Sequence, residues 1–158
     1  MDTSIFSTSA VQYAKDADIE IIDYDEACCI SSEIMFCMNP DNAGYWSADM
    51  INNTDRIIIG DRSGHDNDAE FCLWHELGHG YHKHGVGHHE HALTCELAAN
   101  TWAFINYDGN DLQGFIQNRR RSILTYTSGG ETTTLKTDEL EATARTLGIY
   151  DLITWVEE

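Results

Sequence analysis

The sequence predicts an α+β fold in which a small, mainly antiparallel sheet comes first and a helical part follows. Three observations carry this. Short β-prone runs fill much of the first sixty residues and are cut by turn formers. From residue 67 onward the apolar residues switch to three- and four-residue spacing. Strands followed by helices, rather than alternating with them, make α+β the matching layer arrangement.

In order along the chain, 3–16 places Phe6, Ala10, Tyr13, Ala14 and Ala17 on one face of a short opening helix. The runs 19–24 (IEIIDY), 33–38 (EIMFCM), 44–50 and 56–59 read as strands, separated by Asn39-Pro40-Asp41-Asn42 and by Asn52-Asn53. Helices are expected over about 67–83, 90–106, 110–126 and 137–147. Asn67 with Glu70 three residues on has the pattern of a capping box for the first of them. With no repeat, low-complexity run or long linker, the 158 residues are expected to form a single domain, 1–158, around one core.

The charge balance narrows the function. Twenty-seven acidic against nine basic residues give a formal charge of −18, which opposes contact with nucleic-acid phosphates because that contact needs Lys and Arg. Such acidity serves solubility, and it also suits a binder of basic proteins or a nucleic-acid mimic. Cys28, Cys29, Cys37, Cys72 and Cys95 form an odd set without CxxC spacing, and the start has no basic-then-apolar signal. These point to a reduced, cytoplasmic protein whose thiols act as small buried hydrophobes. No run approaches the roughly 20 apolar residues of a membrane span.

The chemistry concentrates at His75-Glu76-Leu77-Gly78-His79, an HExxH sequence. On a helix, residues four apart share a face, so both imidazoles can reach one ion. Glu76 projects about 100° around from His75 and can accept the proton of a water on that ion. Composition alone would produce this match in about 3% of such chains, which makes coincidence a poor explanation. Gly78 costs the helix about 1 kcal/mol relative to alanine, a cost that close approach of another backbone would explain.

A third ligand decides the kind of site, because a catalytic zinc takes three protein ligands and keeps one position for water. A histidine at the metzincin position fails, since that pattern needs glycine at 82 and histidine at 85 and this chain has His82 and Gly85. His84, His88, His89 and His91, in the loop HKHGVGHHEH, form a second option. The third is Glu96, whose same-face neighbours are Ala92, Leu93, Ala99, Asn100 and Ala103; the small side chains among them would let two helices pack closely.

Together these residues resemble the ImmA/IrrE family of zinc metallopeptidases, small zincins that include regulators acting on repressors of phages and mobile elements. His75 to His79 is similar to the family's HELGH, and Glu96-Leu97-Ala98-Ala99-Asn100-Thr101-Trp102-Ala103 to its ExEANxFA segment. The resemblance covers about residues 1–107, leaving 107–158 as a helical extension outside it. It implies a zincin-like fold, one Zn2+ per chain held by His75, His79 and Glu96, and Glu76 as general base. Ala98 stands where the family has a second acidic residue, and Trp102 where it has phenylalanine.

The expected activity is therefore peptide hydrolysis, with Glu76 taking a proton from the attacking water and passing it to the leaving amine. The expected substrate is a protein or peptide such as a phage or mobile-element repressor. Tyr81, His82 and Tyr107 are oxyanion-donor candidates, Asn100 is a candidate to orient a ligand, and 56–60 is a candidate edge strand for pairing with substrate. Arg119, Arg120 and Arg121 either dock an acidic partner or offset the chain's own charge. Two other functions stay open: a non-catalytic, zinc-stabilised acidic protein that sequesters a basic partner, and a zinc-free helical binding protein.

Overall fold

The structure is a computed structural model that describes residues 1–30, 44–47, 54–59, 68–84, 92–127, 132–133 and 136–156. The expected strand at 33–38, the turns at 39–42 and 52–53, Asn67, Cys37, and His88, His89 and His91 lie outside the described residues. The architecture is α+β and mostly helical.

Ser7 caps α1 (Thr8–Asp16) by accepting from the Ala10 N–H, and Asp18, at φ 57°, turns the chain into β1 (Ile19–Asp23). A short helix, α2 (Tyr24–Ile30), follows directly. It is a departure from the expected strand-only region, and its cause is local. The Asp23 carboxylate accepts from the Glu26 N–H at 2.8 Å while Glu26 accepts from the Asp23 N–H at 3.2 Å, a reciprocal cap.

β2 (Gly44–Ser47) and β3 (Asp55–Ile59) complete a three-stranded sheet in the order β1-β3-β2. β2 runs antiparallel to β3, but β1 runs parallel to it, with Ile19 opposite Asp55 and Asp23 opposite Ile59. The described sheet is thus mixed rather than mainly antiparallel. The expectation that 56–60 is an open edge is also corrected: β3 is the central strand, with a neighbour on each side. Arg56, Ile57, Ile58 and Ile59 are all buried, which is why the run is continuously apolar after Arg56 instead of alternating. Arg56 reaches out to Glu20 on β1 at 2.9 Å.

Four longer helices follow: α3 (Asp68–His82), α4 (Ala92–Asn106), α5 (Leu112–Thr127) and α6 (Asp138–Thr146). They match the expected spans to within two residues. Glu70 on α3 accepts from the Ser7 N–H and from Trp74 Nε1, both at 2.9 Å, so it ties α3 to the start of α1. Trp102 on α4 packs among the rings of Tyr13, Trp74 and Tyr81. α5 lies along α3 through the stacked pair Phe71–Phe115 and a hydrogen bond from Asn118 to Asp68.

Three apolar clusters result, and two of them are large. One joins α1, β3, α3 and part of α4; the other joins Leu93 and Leu97 of α4 to Ile123, Leu140, Ala144 and Leu147. Phe104 packs against both. A short parallel pair, β4 (Thr132–Thr133) with β5 (Thr154–Trp155), closes the described chain. None of the described helices is long and apolar enough to cross a membrane. None of the four cysteines described is in a disulfide, and Cys72 alone of them is buried, so the reading of these thiols as core hydrophobes applies to that one.

Candidate metal centre

α3 carries His75 and His79 one turn apart on a buried face, and α4 brings Glu96 up to them. Their separation depends on Gly78. A Cβ at that position would lie 2.4 Å from the Ala99 carbonyl oxygen and 2.9 Å from its carbonyl carbon and Cα, so the two backbones touch where a side chain would otherwise stand. This is the close approach that a mid-helix glycine implies.

The resulting geometry is compact. His75 Nε2 lies 3.1 Å from His79 Nε2 and 3.1 Å from Glu96 Oε2, and His79 Nε2 lies 3.3 Å from Glu96 Oε1. A four-coordinate ion with bonds of about 2.0–2.1 Å spaces its ligand atoms about 3.3–3.4 Å apart. Two imidazoles and a carboxylate converging at these distances therefore fit one divalent ion of zinc's size. Among the described residues, this is the one group of His, Cys, Asp or Glu donors gathered closely enough to hold a metal.

The other ring nitrogens are also engaged. His75 Nδ1 faces Asn100 Oδ1 at 2.8 Å; the amide oxygen can only accept, so Nδ1 carries the proton and Nε2 is left with its lone pair toward the centre. His79 Nδ1 pairs with Nδ1 of the buried His84 at 2.7 Å. His84, one of the alternative third ligands, is a partner of His79 instead and lies outside the group of converging donors. Replacing Asn100 by alanine is expected to lower zinc affinity about 10- to 100-fold, measured by competition with a chromophoric chelator.

Burial, reinforced by the Arg119 charge, pushes His75 down to about 3, which keeps it neutral as a ligand must be. Burial would lower His79 too, but the hydrogen bond and charge of Glu96 outweigh it and the net shift is upward. For Glu96, burial acts to raise the carboxyl and is overcome by the charges and hydrogen bonds of His75 and His79, which hold it well below the usual carboxylate range. Glu76 is buried, and its charge is felt by both His79 and Tyr126.

Of the remaining candidates, Tyr81 is 56% exposed and stacks on Trp102, His82 stacks on His84, and Tyr107 belongs to an aromatic group with Phe71, Trp74 and Phe115. Two residues that sequence reasoning did not place here come from α5. The charge of Glu96, with burial, pushes the Tyr126 hydroxyl up to about 12. Arg119 is 5% exposed and leaves its Nε without a hydrogen-bond partner. The arginine run thus divides: Arg119 is interior, while Arg120 and Arg121 are exposed.

Compared with protein-family models, curated proteins and solved structures, the chain matches none.

Proposed function

We propose that this protein is a zinc-dependent peptidase of the zincin type, related to the ImmA/IrrE metallopeptidases. The observation that carries the reading is the convergence of His75 Nε2, His79 Nε2 and a Glu96 oxygen at 3.1–3.3 Å with Glu76 buried beside them. Three protein donors leave a place for water, as a hydrolytic site requires. Zinc, when bound there, supplies Lewis acidity and makes the water a nucleophile near neutral pH.

The chain's own residues do the rest. His75 and His79 are held in register by Asn100 and His84. Glu76, one residue beyond His75 and turned about 100° around the helix, accepts the water proton and returns it to the amine nitrogen as the peptide bond breaks. The substrate strand pairs with β2 rather than with the central β3: among the described residues β2 has β3 on one side and no strand on the other, and it packs against α3.

A regulatory protein such as a phage or mobile-element repressor is the substrate the resemblance suggests. The strongly acidic chain suits a protein partner rather than nucleic acid, and its free thiols suit a reducing cytoplasm. The net charge of −18 also favours one rival, a sequestering protein that binds a basic partner without cutting it.

Glu76→Gln separates the two. In cells expressing the wild type, labelling of protein N-termini should reveal new cleavage ends; the variant should produce them about 10²- to 10⁴-fold more slowly while keeping its zinc. A variant that retains full biological effect, or a wild type that generates no new N-termini, rejects the peptidase.

A further inference from the structure

β2 packs against the metal helix α3, and β1 lies at the other side of the sheet. Among the described residues β1 pairs with β3 alone, and no other backbone–backbone hydrogen bond reaches residues 20–22. Alternate backbone groups of a strand point to either side, so this edge presents N–H and C=O groups outward. A groove lies on each side of it. On the α1 side, where Ile19 joins Ile57 and Ile59 in the core, a groove of about 630 Å³ is lined by Val11, Lys15, Asp18, Glu20 and Ile21 among others. On the α2 side, where Ile22 joins Ile58 and Ala27, one of about 540 Å³ is lined by Glu20, Ile21, Ile22, Asp25, Glu26 and Ile30 among others. Glu20 and Ile21 line both, so the grooves meet at the edge. Successive side chains of an added strand would fall alternately to the two sides.

The charge around this edge selects what can lie there. Residues 18–26 include Asp18, Glu20, Asp23, Asp25 and Glu26 and no Lys, Arg or His. The basic side chains lining the grooves are Lys15 and Arg56, and Arg56 is already held by Glu20 at 2.9 Å. A second copy of β1 laid along the edge would set carboxylate against carboxylate, which destabilises a strand pair. An extended segment that bears Lys or Arg meets the opposite sign.

We propose that the outer edge of β1 is a docking site for an extended basic segment of a partner protein, which adds a strand to the sheet on the side away from β2. Backbone pairing holds the segment, and its side chains enter the two grooves in turn, the basic ones meeting Glu20 and Asp25. The site does not depend on the metal chemistry. It would hold a substrate for cleavage at the metal centre or a partner that is never cut.

The probe is a dye-labelled peptide alternating lysine and valine over about eight residues, the length of an ordinary strand, with binding read by fluorescence anisotropy at about 0.15 M salt. The wild type should bind it. Glu20→Lys combined with Asp25→Lys should weaken binding roughly tenfold or more, whereas Glu139→Lys combined with Asp151→Lys, the same charge change at exposed positions on α6 and beyond it, should alter it by less than about threefold. Thermal melts check that both variants fold. A third arm needs no variant: methylating alternate backbone nitrogens of the peptide removes the pairing donors and should also weaken binding to the wild type roughly tenfold or more. A wild type that does not bind, an equal loss in the two double variants, or a methylated peptide that binds as well as its parent would each overturn the proposal. So would a wild-type dimer in sedimentation velocity that the peptide dissociates, since the edge would then belong to a second copy of the chain.

Discussion

Zinc at a hundred times its dissociation constant is expected to raise the melting temperature by about 5–10 °C, and Glu96→Ala or His79→Ala to remove that rise. An ion that binds only the folded chain at this excess adds about 2.7 kcal/mol, and a chain of this size gains about 2–4 °C per kcal/mol. Removing one of three ligands should lower affinity at least a hundredfold, given that about 10–16 kcal/mol is shared among four ligands in structural zinc sites. The comparison is between melts with and without zinc, because Glu96 also partners both histidines and its loss changes the metal-free protein too. Equal zinc-dependent shifts in wild type and variants would mean that the ion binds elsewhere.

Gly78→Ala is expected to destabilise the fold by about 1–2 kcal/mol and to weaken zinc binding as well. Alanine gains about 1 kcal/mol as a helix former, but overpacking costs about 1–3 kcal/mol or more. Here the second effect should win, because the added carbon would meet the Ala99 backbone at 2.4 Å, and backbone cannot swing aside as a flexible side chain does. The helices would have to separate, carrying Glu96 and Asn100 away from His75 and His79. Calorimetry and a zinc titration on the same sample check both parts. A variant as stable as wild type would show that the crossing has room to spare.

The HExxH pair and the close helix crossing are readable from spacing, while the choice of Glu96 among the third-ligand candidates comes from the family resemblance. HExxH on a helix, a glutamate on a second helix and a glycine where the two must touch are local patterns, and helical geometry converts them into a meeting point. The burial of Arg119 is not legible in its run of three arginines, because it depends on how α5 docks. A signal was present: Phe115, Arg119 and Ile123 recur every four residues and are all buried, so Arg119 is the arginine of its run that falls on the apolar stripe. α2 is marked in the sequence only by the capping-box spacing of Asp23 and Glu26, and at seven residues it is too short to show a helical apolar period of its own. The run at 57–59 showed that β3 is a strand but not which strands flank it, since pairing with β1 spans 36 positions and leaves no local trace.

α4 stands between the two large apolar clusters, and this bears on what could be cut out and moved to another scaffold. A segment ending at 107 would keep both motifs and every candidate ligand, yet it would strip the cover from Leu93 and Leu97. The histidines and the glutamate are therefore not a transplantable cassette. Their alignment belongs to the C-terminal third of the chain as much as to the residues that spell the motifs.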